Sequence, residues 1–363
     1  MNIFLIIFIV LSIGFLFINS KFLQAIKIIS NDNPVSADLL KFSIVIAIKN
    51  EEKNIPPLII SLRKLFYQKD FFEVIFVDDN STDNSYQLIS ESIKEEENIK
   101  LFKVNEKKYP GKKGALAFGI EKSFNPYIII TDGDCLPQKN WLISFATKFS
   151  QSYDVVFGAS PNIKNNSLIN KISCFENLRS AILTFSAATF GNAYSATARS
   201  FGFTKNIYEE IGGYEKTTET LSGDDDLFIR QAVKSKAKIG CFIESNSLVF
   251  TNSVSNFKEY LKQKARHTST SAYYLPKHKI FLGFWHLTNL LYLFSPLLMF
   301  TDINFGIFFI LKIFADLWIT NSMQKLLNYN LNFIEIFYLQ LIYEILLILN
   351  FINSKIFRIT WKN

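Results

Sequence analysis

The chain begins and ends apolar. Residues 3–18 (IFLIIFIVLSIGFLFI) form an almost unbroken hydrophobic run, and further runs fill residues 280–300, 303–320 and 333–351. Stretches of this length approach or reach what a helix needs to cross a hydrocarbon core. Between them the pattern changes. Short β-branched or aromatic runs at residues 42–48, 73–77, 100–104, 127–131 and 154–158 alternate with helix-like segments at residues 55–67, 83–97, 113–124 and 138–149. Most of the strand runs are continuously apolar, as strands are when both faces of a parallel sheet are covered by helices. Pro56 and Pro57 fall in the first turn of the first such helix, where a missing N–H costs nothing. The middle of the chain is therefore expected to be an α/β domain over residues 40–275, with membrane segments on either side.

The first run lacks the basic leader and small-residue cleavage site of a signal peptide, and Lys21 and Lys27 come after it. It reads as an uncleaved anchor over residues 1–20, with the positive-inside bias placing the α/β domain in the cytoplasm. Among the C-terminal runs (residues 280–353), residues 303–320 are the weakest, because Lys312 and Asp316 interrupt them. Their i,i+4 spacing lets them pair on one helix face, inside a bundle or on an interfacial helix. Three C-terminal spans would put Lys355, Arg358 and Lys362 on the outer side against the charge bias. Two or three spans are expected, with one segment a candidate for an interfacial or re-entrant role.

Composition refines this picture in a few places. With 363 residues there is room for one large domain and its appendages. The cysteines, Cys135, Cys174 and Cys241, are too scattered for a disulfide framework or a metal cluster, which suits a reducing cytosol. The net charge of +7 is modest. Its most informative part is residues 258–279, where six Lys or Arg face one acid and alternate with Tyr260, Tyr273 and Tyr274, just before an apolar run. Basic and aromatic residues in that position fit an anionic bilayer surface. No nucleic-acid module accompanies them.

The chemistry gathers where strands end. In "IIITDGDC", Asp132 and Asp134 stand one residue apart and would share a face of an extended segment. Like charges that close raise each other's pKa unless a cation sits between them. A hard divalent ion, Mg²⁺ or Mn²⁺, takes carboxylate oxygens and keeps positions open for phosphates, and Gly133 allows close approach. Other acids end other strands: Glu51 and Glu52 after "IVIAIKN", and Asp78 and Asp79 in "VDDNSTD", where Asp83 reads as a helix cap. In open α/β sheets, ligands bind beyond the carboxyl ends of the strands, so these acids would converge on one crevice. Between them lies "GKKGAL", where glycines and a lysine at a helix start suit a phosphate, though without P-loop spacing. Farther on, "SGDDDLF" packs Asp224, Asp225 and Asp226 before a helix over residues 227–236. At least one acid there serves as a cap, and another could act as a base toward a hydroxyl. Finally, "QKARH" offers Arg266 for bidentate contact with a diphosphate.

Taken in order, "IVIAIKNEEKNI", "VDDNSTD", "GKKGAL", "TDGDC", "EEIGGYE", "SGDDDLF" and "QKARH" resemble the membrane-associated inverting glycosyltransferases of family 2. Cellulose, hyaluronan and poly-N-acetylglucosamine synthases and ceramide glucosyltransferases are similar proteins. The resemblance implies a GT-A fold, a Rossmann-like, mixed and mostly parallel sheet with helices on both faces. It implies a nucleotide pocket of Ala47, Lys49, Glu51, Asp78 and Asp79, with Lys112 near the donor diphosphate. Asp132 and Asp134 match the family's Asp-x-Asp, Asp134 being the direct metal ligand. Asp224 falls on the general base, with Asp225 the alternative, because Gly223 stands where the family usually has Glu. Gln263 and Arg266 match a Gln-x-x-Arg-Trp motif in which His267 replaces the Trp.

The protein expected from these features is a multi-pass enzyme of a bacterial inner membrane. It would move a hexose or N-acetylhexosamine from a nucleotide sugar, UDP being favoured by the resemblance, to a lipid, lipid-linked or saccharide acceptor. The missing Trp and the small membrane complement weigh against the alternative of a processive polysaccharide synthase. A non-catalytic nucleotide-sugar-binding protein is the remaining alternative, and it predicts loss of acids that are all present. Cys135 is expected to pack rather than react.

Overall fold

The computed structural model describes residues 3–32 and 39–356. Arg358 and Lys362 lie outside the described residues.

A seven-stranded sheet of order β3-β2-β1-β4-β7-β6-β8 forms the centre. The strands are β1 (Phe42–Ile48), β2 (Phe72–Asp78), β3 (Ile99–Lys103), β4 (Tyr127–Asp132), β6 (Val155–Gly158), β7 (Phe201–Thr204) and β8 (Ile239–Phe242). β1 to β4 run parallel to one another, β7 is antiparallel to both β4 and β6, and β8 is parallel to β6. The mixed, mostly parallel sheet implied by the resemblance is therefore present, and parallel pairs, as the pattern predicts, make up most of it. A separate two-stranded ribbon pairs β5 (Cys135–Pro137) with β9 (Val249–Thr251).

Alternation along the central strands divides their side chains between two cores. Ile44, Ile46, Val74, Phe76 and Ile129 pack with α2 (Ile55–Arg63), α3 (Ser85–Ser92) and α5 (Trp141–Ser150). Val45, Ala47, Ile75, Val77, Ile128 and Ile130 face the other way, onto α4 (Lys112–Glu121), α6 (Leu168–Thr189) and α8 (Asp226–Lys234). All seven positions of β1 and of β2 are buried, which explains their unbroken apolar pattern. α2, α3 and α4 end earlier than periodicity suggests, while α5 runs to Ser150. α2 stops at Arg63 because the chain turns so that the Phe66 N–H can reach the Lys139 carbonyl.

The second core does not stop at the domain. Phe8, Phe15 and Phe22 of α1 (Ile3–Ser30), Trp285 and Tyr292 of α10 (Pro276–Phe294), and Phe305 and Phe308 of α11 (Phe305–Leu326) belong to the same buried cluster as α6. With α12 (Phe333–Ile356), these give four helices long and apolar enough to cross a membrane among the described residues, α10 continuing to Leu298. All but the first two of residues 303–320, expected to be the weak segment, lie in a full 22-residue helix. Its Lys312 and Asp316 do pair, at 2.5 Å, but both are completely buried and have partners on neighbouring helices. That favours a bundle position over an interfacial one.

Candidate active site

The chain runs from β1 out to β3, then returns to lay β4 on the other side of β1. Connections therefore leave β1 and β4 in opposite directions, and a crevice opens beyond their carboxyl ends. Ala47 is in register with Val77 on one side and Asp132 on the other, and Ile48 with Asp78. Strand pairing alone brings the nucleotide-pocket candidates beside Asp132.

The loops after β1 and β2 are tied together. Asn50 and Asn80 both adopt positive φ, which Asn tolerates better than most residues. The Asn50 side chain accepts from the Thr82 N–H at 2.8 Å, the Glu51 N–H donates to Ser85 Oγ at 2.7 Å, and the Glu52 N–H donates to Asp83 at 3.1 Å. Glu51 is buried and accepts from the Asn54 amide at 2.6 Å. Gly133 closes against this loop, since a Cβ there would lie 2.8 Å from Ile48 Cδ1 and 3.0 Å from Glu51 Cγ. Of the adjacent acids, Asp79 is engaged by Lys107 at 2.8 Å. Asp78 is buried, and its Oδ1 has no hydrogen-bond partner among the described residues. A buried acceptor left open is costly, and it fits a donor group from a bound ligand. Lys49 comes directly after β1 at the rim of the same loop.

Lys112 lies at the heart of the crevice. It is the first residue of α4, and its Nζ reaches Asp132 at 2.6 Å and Asp224 at 2.5 Å. Burial alone would push the ammonium's pKa down. The two carboxylates outweigh it and hold that pKa above the ordinary lysine value. Burial would likewise raise Asp132, but Lys112 pulls it below the usual carboxylate range, helped by Arg199 and Arg266. Two acids more than ninety positions apart in sequence thus share one ammonium.

Asp132, Asp134 and Cys135 present ligand atoms within 4.8 Å of one another. Asp134 is the more available carboxylate, with Thr251 Oγ1 at 3.4 Å and the Cys135 thiol at 3.6 Å. Burial, then Asp134 and Asp132, raise the Cys135 pKa well above its ordinary value. The thiol stays neutral and is a poor ligand for a hard ion. The carboxylates suit Mg²⁺ or Mn²⁺ with positions left for other oxygens.

The three consecutive acids separate by their hydrogen bonds. Asp225 caps α8, accepting from the Asp226 N–H at 2.7 Å and, through its other oxygen, from the Ala198 N–H at 2.8 Å. Asp226 accepts from Ser195 Oγ at 2.6 Å, Thr270 Oγ1 at 2.7 Å and the Tyr274 hydroxyl at 2.9 Å. Burial and then the neighbouring acids Asp226 and Asp224 push Asp225 well up. Asp224 alone faces Lys112. Gly223 makes this possible: its φ is +77°, and a Cβ would meet Leu227 Cγ at 2.9 Å and Thr270 Cγ2 at 3.0 Å. We expect Gly223→Ala to lower thermal stability by ~1–3 kcal/mol, and Gly223→Glu to be less stable still. A melting curve matching the parent for both would refute the steric reading.

Gln263 and Arg266 lie one turn apart on α9 (Phe257–Thr268). The charge of Arg266 acts on Asp132, and its Nη2 lies 3.2 Å from His267 Nε2. No direct contact joins Gln263 to the acids among the described residues. Arg199 was not anticipated from the sequence. It precedes β7 in a single 3₁₀ turn, and its carbonyl accepts from Thr131 Oγ1 at 2.7 Å, which brings its charge to bear on Asp132. A lone Arg in "TARSFGF" carries no spacing signal.

Residues 43–212 match the family model described as "Glycosyl transferase family 2". A probable glycosyltransferase, YdaM, of Bacillus subtilis (strain 168) is 25% identical over 208 residues, covering 53% of this chain and 47% of its own. A beta-monoglucosyldiacylglycerol synthase of Nostoc sp. is 31% identical over 109 residues, 30% of this chain and 23% of that protein. The chain thus spans less than half the length of these relatives. Among solved structures, a mannosyltransferase from Pyrobaculum calidifontis in complex with GDP-Man and Mn²⁺ shares the fold at a TM-score of 0.59. Identity is 14%, with coverage of 96% of this chain and 98% of that one.

Proposed function

We propose that the chain, whose residues 43–212 match the glycosyl transferase family 2 model, is a membrane-bound inverting glycosyltransferase. It transfers a hexose or N-acetylhexosamine from a nucleotide sugar, UDP being the expected nucleotide, to a lipid or lipid-linked acceptor. The observation that carries the reading is Lys112 at 2.6 Å from Asp132 and 2.5 Å from Asp224. One cation spans the strand-end acid where a diphosphate would leave and the acid that would receive a proton. The lipid acceptor is supported by the continuous core between catalytic sheet and apolar helices, and by a relative named for a glucosyldiacylglycerol. The membrane in this reading is a bacterial inner membrane, and the charge bias after the first apolar run supports a crevice on its cytoplasmic side.

In this reading Asp78 and Glu51 help receive the nucleoside, with Ala47, Lys49 and Asp79 beside them, while Lys112 and Arg266 meet the diphosphate. Asp224 takes the proton of the acceptor hydroxyl. The oxygen attacks the anomeric carbon opposite the leaving group, the new C–O bond forms as the bond to the diphosphate breaks, and the configuration inverts. A divalent ion, held by Asp134 and Asp132, would offset the charge that builds on the departing diphosphate.

The test is transfer by the full chain in lipid, over a panel of UDP- and GDP-sugars, with and without Mn²⁺. GDP-mannose belongs in the panel because the structural neighbour was solved with GDP-Man. One donor should turn over in a metal-dependent way. Asp134→Ala should lower that turnover by about 10²-fold or more and flatten the Mn²⁺ titration. Tight binding of a donor with no turnover for any acceptor lipid would overturn the catalytic reading.

A further inference from the structure

Beyond the crevice, a second hollow of about 350 Å³ lies where α1, α6 and α10 meet. Its apolar wall includes Phe22, Leu183 and Phe281, and its polar side Lys21, Lys277 and His278. No carboxylate lines it among the described residues. Lys21 interrupts α1 after its most apolar part, and Lys277 stands in the first turn of α10. If these helices span a bilayer, both ammonium groups lie at headgroup depth, where apolar sequence gives way to polar. Lys21 is held by Gln24 at 3.0 Å and by the Phe190 ring at 5.2 Å, contacts that leave its charge uncompensated among the described residues.

The second observation is His278. It is only 7% exposed, yet its Nε2 has no hydrogen-bond partner among the described residues. A buried, open imidazole nitrogen beside two uncompensated ammonium groups fits phosphoryl oxygens. The wall of aromatic and aliphatic side chains fits hydrocarbon. A soluble anion would use the first feature and waste the second. We propose that this hollow binds one anionic phospholipid, its phosphodiester on Lys21, Lys277 and His278 and its chains against the apolar wall. The inference rests on the reading of α1 and α10 as membrane helices. The hollow also borders the acid loop. Tyr194 lines it, packs on Tyr274 at 5.5 Å, and Tyr274 donates to Asp226 at 2.9 Å. Two tyrosine rings in series separate it from that carboxylate, which makes it distinct from a site for the acceptor hydroxyl at Asp224.

The experiment is native mass spectrometry of the full chain in neutral detergent, with phosphatidylglycerol or phosphatidylcholine of identical chains. Phosphatidylglycerol should bind preferentially. Lys21→Gln with Lys277→Gln should lose about thirtyfold of that affinity. His278→Ala should weaken it, and His278→Gln, which keeps a donor, should restore part of it and covers the case of a poorly folded alanine variant. Lys279→Gln, an exposed residue outside the hollow, should change nothing. Equal binding of both lipids, an equal loss in Lys279→Gln, or full competition by millimolar inorganic phosphate would overturn the proposal. Extraction of membranes with alkaline carbonate separates the two failures. Release of the chain sinks the membrane reading, whereas retention without lipid preference sinks only the site.

Discussion

Asp224→Asn is expected to abolish sugar transfer while leaving donor binding nearly unchanged. The other two acids of the loop are committed elsewhere: Asp225 to the N–H groups of Asp226 and Ala198, Asp226 to Ser195, Thr270 and Tyr274. Only Asp224 points into the crevice, onto Lys112. Asparagine keeps the shape and one acceptor oxygen but cannot take a proton. Loss of a general base costs about 10²–10⁴ in kcat, and the donor's Kd should move far less. Asp225→Asn separates the roles. Asparagine can still cap the Asp226 N–H, but its NH2 cannot accept from the Ala198 N–H, so the melting temperature should fall, with activity falling alongside. If Asp225→Asn were inactive at unchanged stability while Asp224→Asn still turned over, the roles of the two acids would have to be exchanged.

Much of this site is legible in the sequence because its residues sit where two simple periodicities end. The apolar runs of β1, β2 and β4 stop at Lys49, Asp78 and Asp132, and a parallel sheet delivers strand ends to one side. Lys112 is legible through the glycines around it. The contact that matters most is not. That Lys112 holds Asp132 and Asp224 together depends on the path of α4 and of the loop before α8, and no spacing encodes a path. The choice among three consecutive aspartates stays open in sequence for the same reason, since only hydrogen bonds distinguish them. Arg199 is hidden along with β7, a four-residue strand too short to show alternation. Gly223 looks like a departure from the family pattern. The structure gives it a cause, a left-handed backbone with no room for a side chain.

The weakest apolar segment shows how composition can mislead. Taken alone, Lys312 and Asp316 argue against burial. In the structure Asp316 accepts from Lys312 at 2.5 Å and from Arg179 of α6 at 2.7 Å. Lys312 also meets Asn289 of α10 at 3.0 Å and Glu344 of α12 at 3.5 Å. Two cations and two anions from three helices close on themselves, and α6 carries the network directly into the core of the central sheet.

Asp316→Ala should therefore be the most damaging single change outside the crevice. It leaves Arg179 and Lys312 buried with only Glu344 between them, and removing one partner of a buried ion pair costs about 3–5 kcal/mol. Unfolding of the full chain in a detergent titration would measure this, and activity should fall with stability rather than ahead of it. Replacing all four charges at once (Arg179→Met, Lys312→Met, Asp316→Leu, Glu344→Leu) should recover most of the loss, because well-packed apolar groups of similar volume often match a buried ion network. That rescue distinguishes a structural lock from an intramembrane charge relay. If the neutral quadruple variant is stable and transfers sugar, the charges serve to seat α6 on α11 and α12. If it is stable and inactive, they take part in the reaction or in delivering its lipid. An unchanged unfolding midpoint for Asp316→Ala would mean that water reaches these groups, and the bundle would be more open than its packing implies.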